Sequence, residues 1–170
     1  MTKLEELLEF HNIAQLKYRY LRALDTLDWG LMESCFSEDA CAWYSGGQYK
    51  QTGRDSIIEF LKGVVTPDFY ASHIAVHPEI TFHSANSAEG IWRLQDIVHF
   101  TEANPNFAHE NIQGGEEMVG AGYYHDEYVK ENGEWKISSI GYIRIFEAIE
   151  PREHRGRYRV HVDPARGLQR

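Results

Sequence analysis

The spacing of apolar residues changes once along this 170-residue chain, from a helical period to an extended one. Through residue 35, Ile13, Leu16, Tyr20, Leu24 and Leu27 recur three and four apart, which places them on one face of a helix. Asp28 is positioned to cap a second short helix, "WGLMESCF". "DACAWYSGGQYKQTG" then predicts two short strands about a turn at Gly46-Gly47, and Asp55 predicts a capped third helix, "SIIEFLKG", ended by Gly63. From residue 72 the pattern becomes that of strands. "SHIAVHPEITF", "AEGIWRLQDIVHF", "EMVGAGYYHDEYVKE" and "EWKISSIGYIRIFEAI" are rich in β-branched and aromatic residues, and the last two pair as a hairpin through "KENGEW". Helices first and a run of antiparallel strands afterwards is an α+β order, with the helices on one face of a curved sheet.

The length suits one domain with a sizeable core, and no repeat or internal boundary divides residues 1–150. Residues 151–170 stand apart as a basic tail, with six arginines against Glu153 and Asp163. That +4 leaves eleven bases against 24 acids before it, a body of −13. A net charge of −9 disfavours nucleic acid as a partner, because phosphate would be repelled. Such a tail fits contact with its own acidic surface or a neighbouring subunit, or a disordered end. No apolar run reaches membrane-spanning or signal-peptide length, so a cytoplasmic protein with no membrane partner is expected. Cys35 and Cys41 are too few for a disulfide framework and are read as buried free thiols. The segment "TEANPNFAHENIQGG" is long for a connection, and reads as either a lid or a disordered excursion.

Several polar residues sit where alternation or helical spacing would place apolar ones. In "GIWRLQDIVHF", Asp96 shares a face with Trp92, Leu94, Val98 and Phe100, where a carboxylate must be paired, protonated or next to water. Arg144 shares a face with Ile140, Tyr142 and Phe146 and calls for a buried partner or a ligand anion. Tyr20 lies inside the apolar stripe of the first helix, where a phenol normally needs a hydrogen-bond partner. Asp25 lies near the end of the same helix, an ordinary place for a solvated carboxylate. His73 and His77 occupy one face of "SHIAVHPEI", with Ile74, Val76, Ile80 and Phe82 opposite. Four residues of strand span about 13 Å, so the two histidines cannot share a metal ion while the strand is regular, and one reads as a proton carrier or both as structural groups. No nucleotide-binding, P-loop, nucleophile-elbow or CxxC motif is present, so no cofactor is implied.

"YRYLRALDTLDWGLMESCFSEDA", "SHIAVHPEI", "GIWRLQD" and "YYHDEYVKENGEWKISSIGYIRIFE" resemble the SnoaL-like branch of the nuclear-transport-factor-2-like (NTF2-like) superfamily, and within it the bile-acid 7α-dehydratases. The resemblance runs from about residue 13 to 155 and implies a cone-shaped fold, a curved mixed sheet wrapped on N-terminal helices around a deep pocket. It implies catalytic roles for Tyr20, Asp25, His73, Asp96 and Arg144. Trp43 and Trp92, which depart from the family and crowd the expected pocket wall, are read with Tyr44 and Tyr124 as lining the substrate pocket. Related dehydrochlorinases and scytalone dehydratases likewise use a histidine assisted by an aspartate. The implied activity is a cofactor-free dehydratase acting on a carbonyl-bearing, steroid-like ring substrate. A ketosteroid-isomerase-like isomerase and a non-catalytic binding or assembly module of the same fold are the alternatives. The family resemblance also favours a homo-oligomer, a trimer over a dimer.

Overall fold

The computed structural model describes residues 1–105 and 112–151. The middle of the long loop and nearly all of the basic tail, and with them the lid and tail readings, lie outside the described residues. The chain opens with α1 (Lys3–Asp25), whose capping box pairs Thr2 and Glu5 reciprocally. Ile13, Leu16, Tyr20 and Leu24 are buried on α1 as expected, while Leu27 is buried beyond the helix end, where its backbone turns left-handed with φ 53°. Lys17, which the periodicity also places on the buried face of α1, is buried too. Asp28 caps α2 (Trp29–Ser34) by accepting from the Leu31 amide. In α3 (Arg54–Val64), however, the N-cap is Gly53 and Asp55 lies in the first turn, where its charge favours the helix N-terminus without capping it.

The six strands are β1 (Phe36–Tyr44), β2 (Tyr49–Thr52), β3 (Phe69–Phe82), β4 (Ser87–Phe100), β5 (Glu116–Glu131) and β6 (Glu134–Pro151). They form one sheet in the order β2-β1-β6-β5-β4-β3, antiparallel except where β1 runs parallel to β6. Helices come first and the sheet is mixed, so the expected α+β cone is the observed fold. In β4 the predicted alternation holds throughout, with Trp92, Leu94, Asp96, Val98 and Phe100 all buried.

Two bulges overturn the alternation expected elsewhere. Between Val76 and Glu79 the register of β3 against β4 slips, and His77 adopts a left-handed backbone with φ 53°. The extra residue inverts the inward face. Ile74 and Val76 therefore point outward while Ile80 and Phe82 pack against the core, and His77 is exposed, off the face that His73 keeps. A second bulge sets Gly122 opposite Arg144 but Ala121 opposite Phe146, so Arg144 stays inward while Phe146 turns out to solvent. Cys35 is buried as expected, whereas Cys41 is exposed on β1. Among the described residues no helix is long and apolar enough to cross a membrane.

Candidate active site

The inner faces of β3, β4, β5 and β6 close over α1 and α3 around a cleft lined by Tyr20, Tyr44, His73, Asp96, Tyr124 and Arg144 among apolar neighbours. His73 and Asp96 are direct cross-strand partners on that face. β3 is the edge of the sheet, so the amide of His73 is free to turn away from β4, and Asp25 at the end of α1 accepts it at 3.1 Å. The same carboxylate meets the imidazole, with His73 Nδ1 at 2.6 Å from Asp25 Oδ1. Against a carboxylate, which only accepts, Nδ1 is the donor, so in a neutral His73 ring Nε2 is the nitrogen with the free lone pair. A carboxylate at a helix C-terminus opposes the helix dipole, a local cost of about 0.3–1 kcal/mol that these two donors offset. Asp25 stands behind His73 and outside the cleft lining.

On the other side of His73, Arg144 donates a two-pronged pair of hydrogen bonds to Asp96, at 2.8 and 2.7 Å. Its Nε lies 3.1 Å from Glu147. Burial works against the guanidinium charge, but the bonds and charge of Asp96 more than offset it and push the Arg144 pKa up. Asp96 therefore has the buried partner that its apolar row required. The fork lies flat against β5 because residue 120 is glycine; a Cβ there would overlap Arg144 Nη1 and Asp96 Oδ1.

Tyrosines make up much of the polar lining. Tyr20 and Tyr44 lie side by side, each raised in pKa first by burial, and Tyr44 Oη has no well-formed hydrogen-bond partner. Burial and then the Asp96 charge raise the Tyr124 phenol as well. All three stay neutral hydrogen-bond donors across the ordinary pH range. Tyr44 is fixed by stacking on Phe60, and Tyr142 is held by a 2.9 Å bond to Ser45 and an edge contact to Tyr124.

Trp43 and Trp92 fall outside this lining. Trp43 points to the outer face of the sheet, where it packs over Gly141 and against His125. Its parity on β1 decides this, since its neighbours Ala42 and Tyr44 face inward. Trp92 is inward but deeper in the core, donating to Tyr128 Oη at 2.8 Å. The cleft leaves about 620 Å³ between its atoms, counting the part open to solvent, but the void proper is about 70 Å³. That is less than the roughly 150 Å³ that accommodates benzene in an engineered apolar cavity. By this measure the enclosed void is smaller than a single ring, so a ring substrate would occupy the part of the cleft open to solvent.

Residues 5–140 match the model of the SnoaL-like domain. The chain belongs to the SnoaL-like domain family. Its NTF2-like cone is shared by a type 2 hexachlorocyclohexane dehydrochlorinase, 20% identical with a TM-score of 0.74, over 88% of this chain and 93% of that one. A scytalone dehydratase-like protein from Novosphingobium aromaticivorans is 23% identical with a TM-score of 0.73, over 96% of this chain and 95% of that one. A Mycobacterium tuberculosis protein of unknown function is 21% identical with a TM-score of 0.65, over 85% of this chain and 76% of that one. At these identities the likeness is one of fold.

Within this SnoaL-like domain the sequence reading missed an ion pair beneath the cleft. Lys17 Nζ lies 2.7 Å from Asp126 Oδ2 with both side chains fully buried, and 3.5 Å from the centre of the Tyr124 ring. Tyr128 donates to the same carboxylate oxygen. The signal was available, because Asp126 alternates in phase with Tyr124 and Tyr128, as Asp96 does with its own apolar row. Ser45, Phe69 and Tyr142 also line the cleft with no mark in the sequence that singles them out. Among the described residues no cluster of three or more His, Cys, Asp or Glu side chains could hold a metal ion.

Proposed function

We propose that this SnoaL-like domain is a cofactor-free lyase that removes water from an uncharged, carbonyl-bearing ring compound. The observation that supports it is the Asp25–His73 pair, which fixes the proton on Nδ1 and leaves a basic Nε2 on the ring that lines the cleft beside three neutral phenols. In the proposed reaction His73 Nε2 takes a proton from the carbon next to the carbonyl. Asp25 stabilises the resulting imidazolium, as the carboxylate of a catalytic triad does. Tyr20, with Tyr44 beside it, donates to the oxygen on which negative charge develops. The electron pair left on carbon forms the new double bond as the carbon–oxygen bond breaks. The imidazolium returns its proton to the departing hydroxyl, and water leaves. Asp96 and Arg144 would hold the His73 side of the cleft and its polar contacts in place. A compact one- or two-ring substrate would enter the open part of the cleft with less rearrangement than a steroid.

The reading is tested by incubating one- and two-ring ketones, β-hydroxyketones and 3-keto steroids with the protein in deuterated water and following them by NMR. Exchange at the α-carbon or loss of water is expected, reduced by about 10²–10⁴ in His73→Ala, with a smaller loss in Asp25→Asn. Exchange in the β-hydroxyketones without water loss would favour an isomerase. Exchange that persists in His73→Ala would remove the histidine from the mechanism.

A further inference from the structure

Arg144 is the one lysine or arginine that lines the cleft among the described residues, and its charge is already taken up. Asp96 occupies both prongs of the guanidinium and Glu147 faces Nε at 3.1 Å, so two carboxylates surround one cation. The ring of Tyr142 lies 5.2 Å from the guanidinium carbon, so an aromatic neighbour adds to the two carboxylates. On the far side of His73 stands a third carboxylate, Asp25. Gly120 shows that the arrangement is built in, because any side chain there would push the fork off β5.

We propose that this balance selects uncharged ring substrates over anionic ones, and that Glu147 is a specificity-determining residue. The inference rests on the reading above that the cleft is the substrate site. A carboxylate entering the cleft would be desolvated among apolar residues and meet no free cation. It would also be repelled by the excess of negative charge around Arg144. An uncharged carbonyl meets none of these costs and finds the phenols as donors. Glu147 acts through Arg144, since without it the guanidinium would carry one uncompensated donor toward a ligand anion.

The test uses two compounds on one carbon frame, 2-tetralone and 1,2,3,4-tetrahydro-2-naphthoate, with binding measured calorimetrically at pH 7. Wild type is expected to bind the ketone at least about tenfold more tightly than the acid. Glu147→Gln should narrow that ratio severalfold by improving affinity for the acid alone. Asp96→Asn, which frees the fork itself, should narrow it further or reverse it. Glu147 is partly exposed, so its variant keeps the test valid if Asp96→Asn fails to fold. Equal affinity for both compounds in wild type would overturn the proposal, as would no binding of either. An unchanged ratio in a folded Glu147→Gln variant would also overturn it. Selective binding of the ketone without solvent exchange would refute the proton-abstraction mechanism and leave the charge selection standing. Exchange with no preference for the ketone would do the reverse.

Discussion

Replacing Lys17 with methionine should destabilise the protein by an amount that depends on pH in a specified direction. Lys17 and Asp126 are both fully buried, 2.7 Å apart. The carboxylate has one other donor, Tyr128 at 2.7 Å, while its Oδ1 has no partner. Burial pushes the Asp126 pKa up against the opposing attraction of Lys17, and pushes Lys17 down against the attraction of Asp126. Without the lysine, Asp126 can keep its charge at a cost or escape by binding a proton. Protonation sets a ceiling on the loss. Starting from an ordinary value of 3.8, it costs about 4 kcal/mol at pH 7 and under about 2 kcal/mol at pH 5. The sign follows from linkage. In Lys17→Met the folded-state pKa of Asp126 lies above its unfolded value, so stability is fully present below about pH 4 and is lost as pH rises toward the folded value. Urea unfolding should show a deficit of roughly 3–4 kcal/mol at pH 7 that shrinks by half or more at pH 5, with an unchanged denaturant slope. The double variant Lys17→Met/Asp126→Leu removes both charges. Its deficit should stay within about 2 kcal/mol and lose most of its pH dependence. A Lys17→Met deficit below about 1 kcal/mol at pH 7, or one equal at the two pH values, would refute this account.

Two further outcomes follow. Tyr20, Tyr44, Tyr124 and Tyr128 all have pKa values raised by burial, so the stability they contribute is present below about pH 10 and lost as pH rises above it. Tyrosinate absorbance followed beside circular dichroism should show these four of the ten tyrosines ionising only as the fold is lost; titration of all ten on a folded protein would contradict their placement. Ile74, Ile97, Ile143 and Phe146 are exposed on the outer face of the sheet, an apolar surface of the kind that joins subunits. Sedimentation should give a mass above the monomer's 19.7 kDa, reduced to that value by Ile97→Lys/Ile143→Lys, and a monomeric wild type would dispose of the expected oligomer.

Residues that depend on a single element's own periodicity were legible in the sequence. The stripe on α1 and the alternation in β4 follow from 3.6- and 2-residue periods, and Asp96 stood out because it interrupted an apolar row. The same rule failed at Phe146 and at His77. One extra residue inverts every later side chain on a strand; Pro78 beside His77 was a mark of the first insertion that the alternation alone does not use, and no residue near the second declares it. Trp43 shows a related limit. Its size suggested a pocket wall, but the parity of β1 places it outside, where Gly141 leaves room for the indole.

The sequence by itself determined the order of the elements, the α+β class and the polar residues that apolar positions would have to accommodate. Periodicity, capping and turn chemistry are local, so they can be read without knowing what lies across the sheet. Only the tertiary structure decided which of those residues meet. Asp25 and His73 are 48 residues apart, as are Asp96 and Arg144, and Lys17 and Asp126 are separated by 109. Each pair forms because edge-strand position, cross-strand register and helix depth bring its members within 3 Å of one another. The partner of a buried charge is set by register, and register is a property of the packed sheet.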